Sequence, residues 1–140
     1  MRSRDRPFLA VAAALILGMA ACSGSDADGR LIVQEHGRVL NRYSVSQLQR
    51  LPQIEIATPQ SHGAHSQRGP TVRSILDLAG ITGVVSVRVE GRDPAQTLGG
   101  AELSDPVILN ITKRHTLKLT GAKLTRDRWV RDVTALVVNP

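Results

Sequence analysis

Cysteine, aromatic side chains and long apolar runs are all scarce in this 140-residue chain. Each scarcity excludes something. The one cysteine, Cys22, cannot form a disulfide scaffold within the chain. Phe8, Tyr43 and Trp129 are the only aromatics, so a sheet that stacks nucleic-acid bases on aromatic rings is excluded. No glycine-rich phosphate loop is present, and Gly99-Gly100 reads only as a turn. Neither a Ser-His-Asp arrangement nor a pair of carboxylates at a meaningful spacing stands out. The length allows one domain, not a repeat array or a multidomain enzyme.

The one apolar run, Phe8 to Ala21, is 14 residues long and follows Arg2, Arg4 and Arg6. A helix needs about 20 apolar residues to cross a bilayer. The run therefore suits the apolar region of an export signal. It ends Met19-Ala20-Ala21-Cys22, which resembles the lipobox of bacterial lipoproteins, with Met19 in place of the more usual leucine. That resemblance implies a signal peptide over residues 1–21 and a diacylglyceryl thioether on Cys22. Two or more acyl chains, at about 0.8 kcal/mol per buried methylene, anchor a protein without a spanning helix. Ser23 to Gly29 is small, polar and acidic, so residues 22–30 read as a lipidated flexible tether. The expected location is the extracytoplasmic side of the cell membrane, where nucleic acid is not an expected partner.

From Cys22 onward the 119 residues include 13 Val, 13 Leu and 7 Ile. That is above the ~20% below which chains tend to be disordered, so an aliphatic core is expected over residues 31–140. Leu31–Gln34 and Arg38–Tyr43 read as a hairpin around Gly37. Ser44-Val45-Ser46-Gln47 has the form of a capping box and opens a short helix through Arg50, stopped by Pro52. Ile54 and Ile56 are expected on one side of a strand. Thr58 to Gly69 reads as a twelve-residue polar loop. Val72–Ala79 reads as a helix capped by Thr71 and ended by Gly80. Val85, Val87 and Val89 alternate with polar residues, Val107–Ile111 suits an interior strand, Leu117 and Leu119 alternate with Lys118 and Thr120, and Val133–Val138 closes the fold. Strands and short helices are interspersed without a regular βαβ period. The class is α+β, a single mixed-sheet domain.

The order of these signals resembles a known family. "YSVSQLQRLPQIEIAT" leads through a polar loop into "GPTVRSILDLAGI"; "VVSVRVEGRD" follows, and "TLKLTGAKLTRDRWVRDVTALVV" closes the chain. This is similar to the small molybdopterin-binding domain of the sulfite oxidase family, over roughly residues 38–138. The resemblance implies that fold, with molybdopterin as the cofactor to consider. It also implies a molybdenum-ligating cysteine in the loop after the Ile54–Ala57 stretch, and that loop contains none. A lipidated Cys22 is a thioether and has no thiolate to offer. The resemblance further implies a stretch before this region that holds much of the pterin in longer relatives, and no such stretch is expected here.

Histidines stand in the loop instead. His62 and His65 have H-x-x-H spacing, and imidazole suits Zn, Cu or Ni. Lys113, Arg114, Lys118, Lys123, Arg126, Arg128 and Arg131 fall within nineteen residues, opposed only by Asp127. Such a cluster fits a phosphate-bearing ligand or anionic headgroups. The resemblance puts Arg128 and Arg131 where the family has lysines near the pterin phosphate, and arginine's planar fork suits phosphate. Arg68 is expected to add a third contact, on one rim shared with His62, His65, Arg128 and Arg131.

The expected protein is thus a membrane-anchored lipoprotein with an oxidoreductase-type domain. It serves as a non-catalytic binding or accessory module for a phosphate-bearing ligand or a protein partner. The alternatives are a molybdopterin-dependent oxidoreductase completed by a partner, and a small metal-handling lipoprotein.

Overall fold

The computed structural model describes residues 30–140. The signal, Cys22 and all of the tether except Arg30 lie outside the described residues. Two strands, β1 (Arg30–Glu35) and β2 (Arg38–Ser44), form the expected hairpin, with His36 and Gly37 both at positive φ in its turn. The capping box at Ser44 is present in full. The Ser44 hydroxyl accepts from the Gln47 N–H at 3.2 Å, and the Gln47 side-chain oxygen accepts from the Ser44 N–H at 2.8 Å. It starts α1 (Val45–Gln49), which buries Val45 and Leu48.

β3 (Ile54–Ala57) then pairs with β4 (Ser66–Gly69), antiparallel. The expected twelve-residue loop is therefore shorter, because its last four residues are a strand. Their polar composition hides this: only Gln67 and Gly69 of β4 are buried. Gly69 lies directly on the backbone of Leu109, where an added Cβ would sit 2.1 Å from the Leu109 carbonyl oxygen. Ile54 and Ile56 lie on one side of β3, as expected, but differ in exposure. Ile56 is buried, but Ile54 is 40% exposed.

α2 (Val72–Leu78) is capped by the Thr71 hydroxyl, which accepts from the Ser74 N–H, and it buries Val72, Ile75 and Leu76. β5 (Ser86–Glu90) places Val87 and Val89 in the core; Val85 lies outside the strand and is exposed. β6 (Gln96–Gly99) and α3 (Gly100–Ser104) were not expected from the sequence. The Gly-Gly turn signal turns out to be the start of α3, where the Glu102 carboxylate accepts from the Gly99 N–H. β7 (Val107–Ile111) and β8 (Leu117–Gly121) form a second ribbon. A 3-10 turn (Arg126–Arg128) and β9 (Ala135–Val138) complete the chain.

The main sheet has the order β2-β1-β9-β5-β6, with β9 parallel to β1 and antiparallel to β5. Leu31, Val33, Tyr43, Val87, Val89, Leu98, Leu136 and Val138 point from this sheet into one aliphatic core. α1, α2 and the β7–β8 ribbon cover that core through Leu48, Ile75, Leu109, Leu117 and Leu119. The fold is α+β, as expected. None of the described helices is long and apolar enough to cross a membrane.

Candidate functional site

The segment after β8 folds back along it. The Leu119 N–H donates to the Val130 carbonyl and the Val133 N–H to the Leu117 carbonyl, both at 2.8 Å. This lays Trp129 against Lys118, whose ammonium sits 5.0 Å from the centre of the indole ring. The indole N–H donates to the Leu124 carbonyl at 3.1 Å and the ring is buried. A tryptophan buried this way satisfies its one donor and offers a face to the cation.

The end of β5 approaches from the other side. Gly91 lies so close to residues 131 and 132 that an added Cβ would stand 2.6 Å from the Arg131 carbonyl oxygen. The Arg92 N–H donates to that oxygen at 2.8 Å. Asp93 thereby faces Arg131. One Asp93 oxygen accepts from the Arg131 N–H at 2.8 Å and from Nε at 3.1 Å; the other accepts from Nη2 at 2.9 Å. These bonds hold the Asp93 carboxyl down at about 2, and the aspartate raises the Arg131 guanidinium in turn.

Between the two sides lies a depression of about 400 Å³, lined by Asp93, Pro94, Lys118, Arg126, Asp127, Trp129 and Arg131. Three cations meet there. Burial lowers the Lys118 ammonium below its ordinary range, and the fields of Arg126 and Arg131 lower it further. An anion entering the depression would relieve that repulsion. Arg131 is already paired with Asp93, which leaves Lys118 and Arg126 as the cations best placed to receive a ligand.

The site residues expected from the sequence do not share one rim. Arg131 lines the depression. Arg128 turns away from it: its guanidinium donates to Glu102, to the Thr97 carbonyl at 3.0 Å and to Gln96 Oε1 at 3.3 Å. It pins the 3-10 turn to β6 and α3, and it lowers the Glu102 carboxyl. Arg68 lines a different depression, with Lys113 and His115. His62 and His65 are exposed in the β3–β4 loop. Among the described residues no group of three His, Cys, Asp or Glu is placed to hold a metal ion. The β3–β4 loop does reach the edge of the site through Gln60, whose side-chain amide donates to the Gly121 and Leu124 carbonyls at 3.1 and 2.9 Å.

Lys118 and Arg126 stand in the basic run visible in the sequence. Asp93 was not legible as a site residue. It sits in a turn, and nothing local marks it as the partner of a residue 38 positions on.

No family model matches the chain, and no curated protein matches it in sequence. A solved structure does. The sulfane dehydrogenase SoxCD from Paracoccus pantotrophus, a neighbour from the sulfite oxidase family, superposes with a TM-score of 0.63 at 18% identity. The fold is molybdopterin-oxidoreductase-like. The match covers 84% of this chain and 39% of that one, so the chain spans about two-fifths of its neighbour's length. At this identity the likeness concerns the fold alone.

The residues present do not fit a thiolate-ligated molybdenum. Residues 30–140 contain no cysteine. The buried polar groups of the β3–β4 hairpin are turned inward: the Gln67 amide donates to the Ala64 carbonyl at 3.1 Å, and the Thr58 hydroxyl donates to the same carbonyl at 3.4 Å.

Proposed function

We propose that the protein is a membrane-anchored lipoprotein whose oxidoreductase-type domain works as a non-catalytic binding or accessory module. Cys22 carries the anchor on the extracytoplasmic side of the cell membrane. The domain takes a phosphate-bearing ligand in the depression between Lys118, Arg126 and Arg131. The observation that carries this reading is the convergence of Lys118, Arg126 and Arg131 on one depression, with Lys118 over the Trp129 ring, in residues that include no thiol to hold molybdenum. Concave sites with a few converging polar groups are the usual form of a small-ligand site. A phosphate there would take charge-assisted hydrogen bonds from Arg126 and Lys118.

Two measurements test it. Protein purified from its native host should contain well under one molybdenum per chain and give no pterin fluorescence; stoichiometric molybdenum would overturn the reading. Phosphate binding, followed by the fluorescence of Trp129, should weaken roughly tenfold or more in Arg126→Ala, since a hydrogen bond to a charged group contributes about 1.5–3 kcal/mol. Added salt should weaken it further. Equal binding by Arg126→Ala would remove this depression as the site.

A further inference from the structure

Five acids among the described residues are each paired with a particular cation. Among the described residues, Glu90 pairs with Arg88, Asp132 with Arg92, Asp105 with Lys123, Glu102 with Arg128 and Asp93 with Arg131. One corner gathers several cations that lie outside these pairs. The turn between β7 and β8 exposes Lys113, Arg114 and His115. Arg68 of β4 adjoins it, so that Arg68, Lys113 and His115 line one open depression of about 300 Å³. No carboxylate lines that depression. The β3–β4 register sets Glu55 opposite Arg68, but no ion pair joins them. Arg68, Lys113 and Arg114 have no ion pair among the described residues.

The backbone that carries these cations is also held in place. The Thr112 N–H donates to the Thr116 carbonyl and the His115 N–H to the Thr112 carbonyl, both at 2.9 Å. The Thr112 hydroxyl accepts from the Arg114 and Thr116 N–H groups, and it lies 2.7 Å from the Thr116 hydroxyl. His115 takes the left-handed conformation, φ 61°, which a β-branched residue would not accept readily. On the other side, Asn110 Nδ2 donates to the Arg68 carbonyl at 3.0 Å and fixes β4 against β7.

We propose that this corner docks on the anionic headgroups of a phospholipid bilayer, their phosphates received between Arg68, Lys113 and Arg114. The inference rests on the anchored reading above, since a lipid on Cys22 brings the membrane within reach. Cys22 and Arg30 are eight residues apart in sequence. Eight residues reach at most about 28 Å even when fully extended, so the domain stays within a few Debye lengths of the headgroups. The charges are complementary. The openness of the depression favours a surface over a small soluble anion, because many weak contacts to a surface add up once a tether holds the partners together. Each cation near an anionic leaflet is worth about fivefold in binding.

The test uses the full chain purified from cells that process it. The chain is mixed with vesicles of phosphatidylcholine alone or with one third phosphatidylglycerol. Hydrogen exchange of residues 110–118 should slow several-fold with phosphatidylglycerol relative to phosphatidylcholine. The difference should vanish in high salt and in a Lys113→Glu/Arg114→Glu chain. Arg38→Ala, on β2, should leave it unchanged. Equal exchange with both vesicle types overturns the proposal. So does equal protection of the turn by inorganic phosphate without vesicles, which would make the source a soluble anion. Failure of the chain to float with phosphatidylcholine counts against the anchor alone; the difference between the two lipids still decides the docking corner.

Discussion

Gln60 and Trp129 meet at one atom. The amide of Gln60 and the indole of Trp129 both donate to the Leu124 carbonyl, at 2.9 and 3.1 Å. A residue of the β3–β4 loop and the ring under Lys118 are therefore joined through a single acceptor. Gln60→Ala and Trp129→Phe should each lower stability, by about 1 kcal/mol per lost hydrogen bond. Neither alone strips the carbonyl of both donors; together they do. The double variant should lose more than the sum, by roughly 0.5 kcal/mol or more. Urea unfolding followed by far-ultraviolet circular dichroism measures this, and strictly additive losses would argue against the shared acceptor.

Asp93 should govern the acid response of the site. Its folded value, about 2, lies below the ordinary carboxylate value of 3.8. A depressed carboxylate contributes stability that is fully present above the unfolded value and is lost as pH falls through the folded one. The window is therefore about pH 4 down to pH 2. Asp93→Asn should remove that component of the acid unfolding curve. At neutral pH the same change frees Arg131 and removes a negative charge from the depression, so phosphate should bind several-fold more tightly. Unchanged or weaker phosphate binding in Asp93→Asn would show that Asp93 does not compete with the ligand.

Gly69→Ala should be among the most damaging single substitutions. The new methyl would meet the Leu109 carbonyl oxygen and carbon, 2.1 and 2.8 Å away. Both are backbone atoms in a strand, so neither can swing aside. A loss of roughly 2–4 kcal/mol is expected, as for other overpacked interior sites. A thermal melt within a degree of the parent protein would contradict this contact.

Thr120 offers the opposite case. Its hydroxyl is fully buried and has no hydrogen-bond partner in the structure. An unpartnered buried hydroxyl costs stability, and an apolar group of the same shape removes that cost. Thr120→Val should be neutral or stabilising by up to about 1 kcal/mol. A clear loss would mean that the hydroxyl has a partner in solution.

Local signals were legible in the sequence, and long-range ones were not. The Ser44 capping box, the Thr71 cap and the alternation of Val87 and Val89 depend on neighbours within a few residues, and each is found where the pattern predicts. β4 was hidden because an edge ribbon needs little apolar surface, and Ser-Gln-Arg-Gly reads as loop chemistry. The basic run around residues 113–131 was visible, but its division was not. Glu102 draws Arg128 aside, Asp93 binds Arg131, and Arg68 stands near Lys113. Those choices depend on carboxylates 26 and 38 residues away in the chain. No spacing rule within a strand or helix reaches that far.

The position of β9 bears on how the chain assembles. Residues 135–138 lie at the centre of the main sheet, with Ile32 opposite Ala135 on one side and Val87 opposite Val138 on the other. The sheet consequently has no middle until these residues have been synthesised. A nascent chain would hold only the two separate halves, β1–β2 and β5–β6. Parallel pairing across about a hundred residues is slow to form. Under the export proposed above, such an arrangement would keep the chain open during transit, because its central strand comes last.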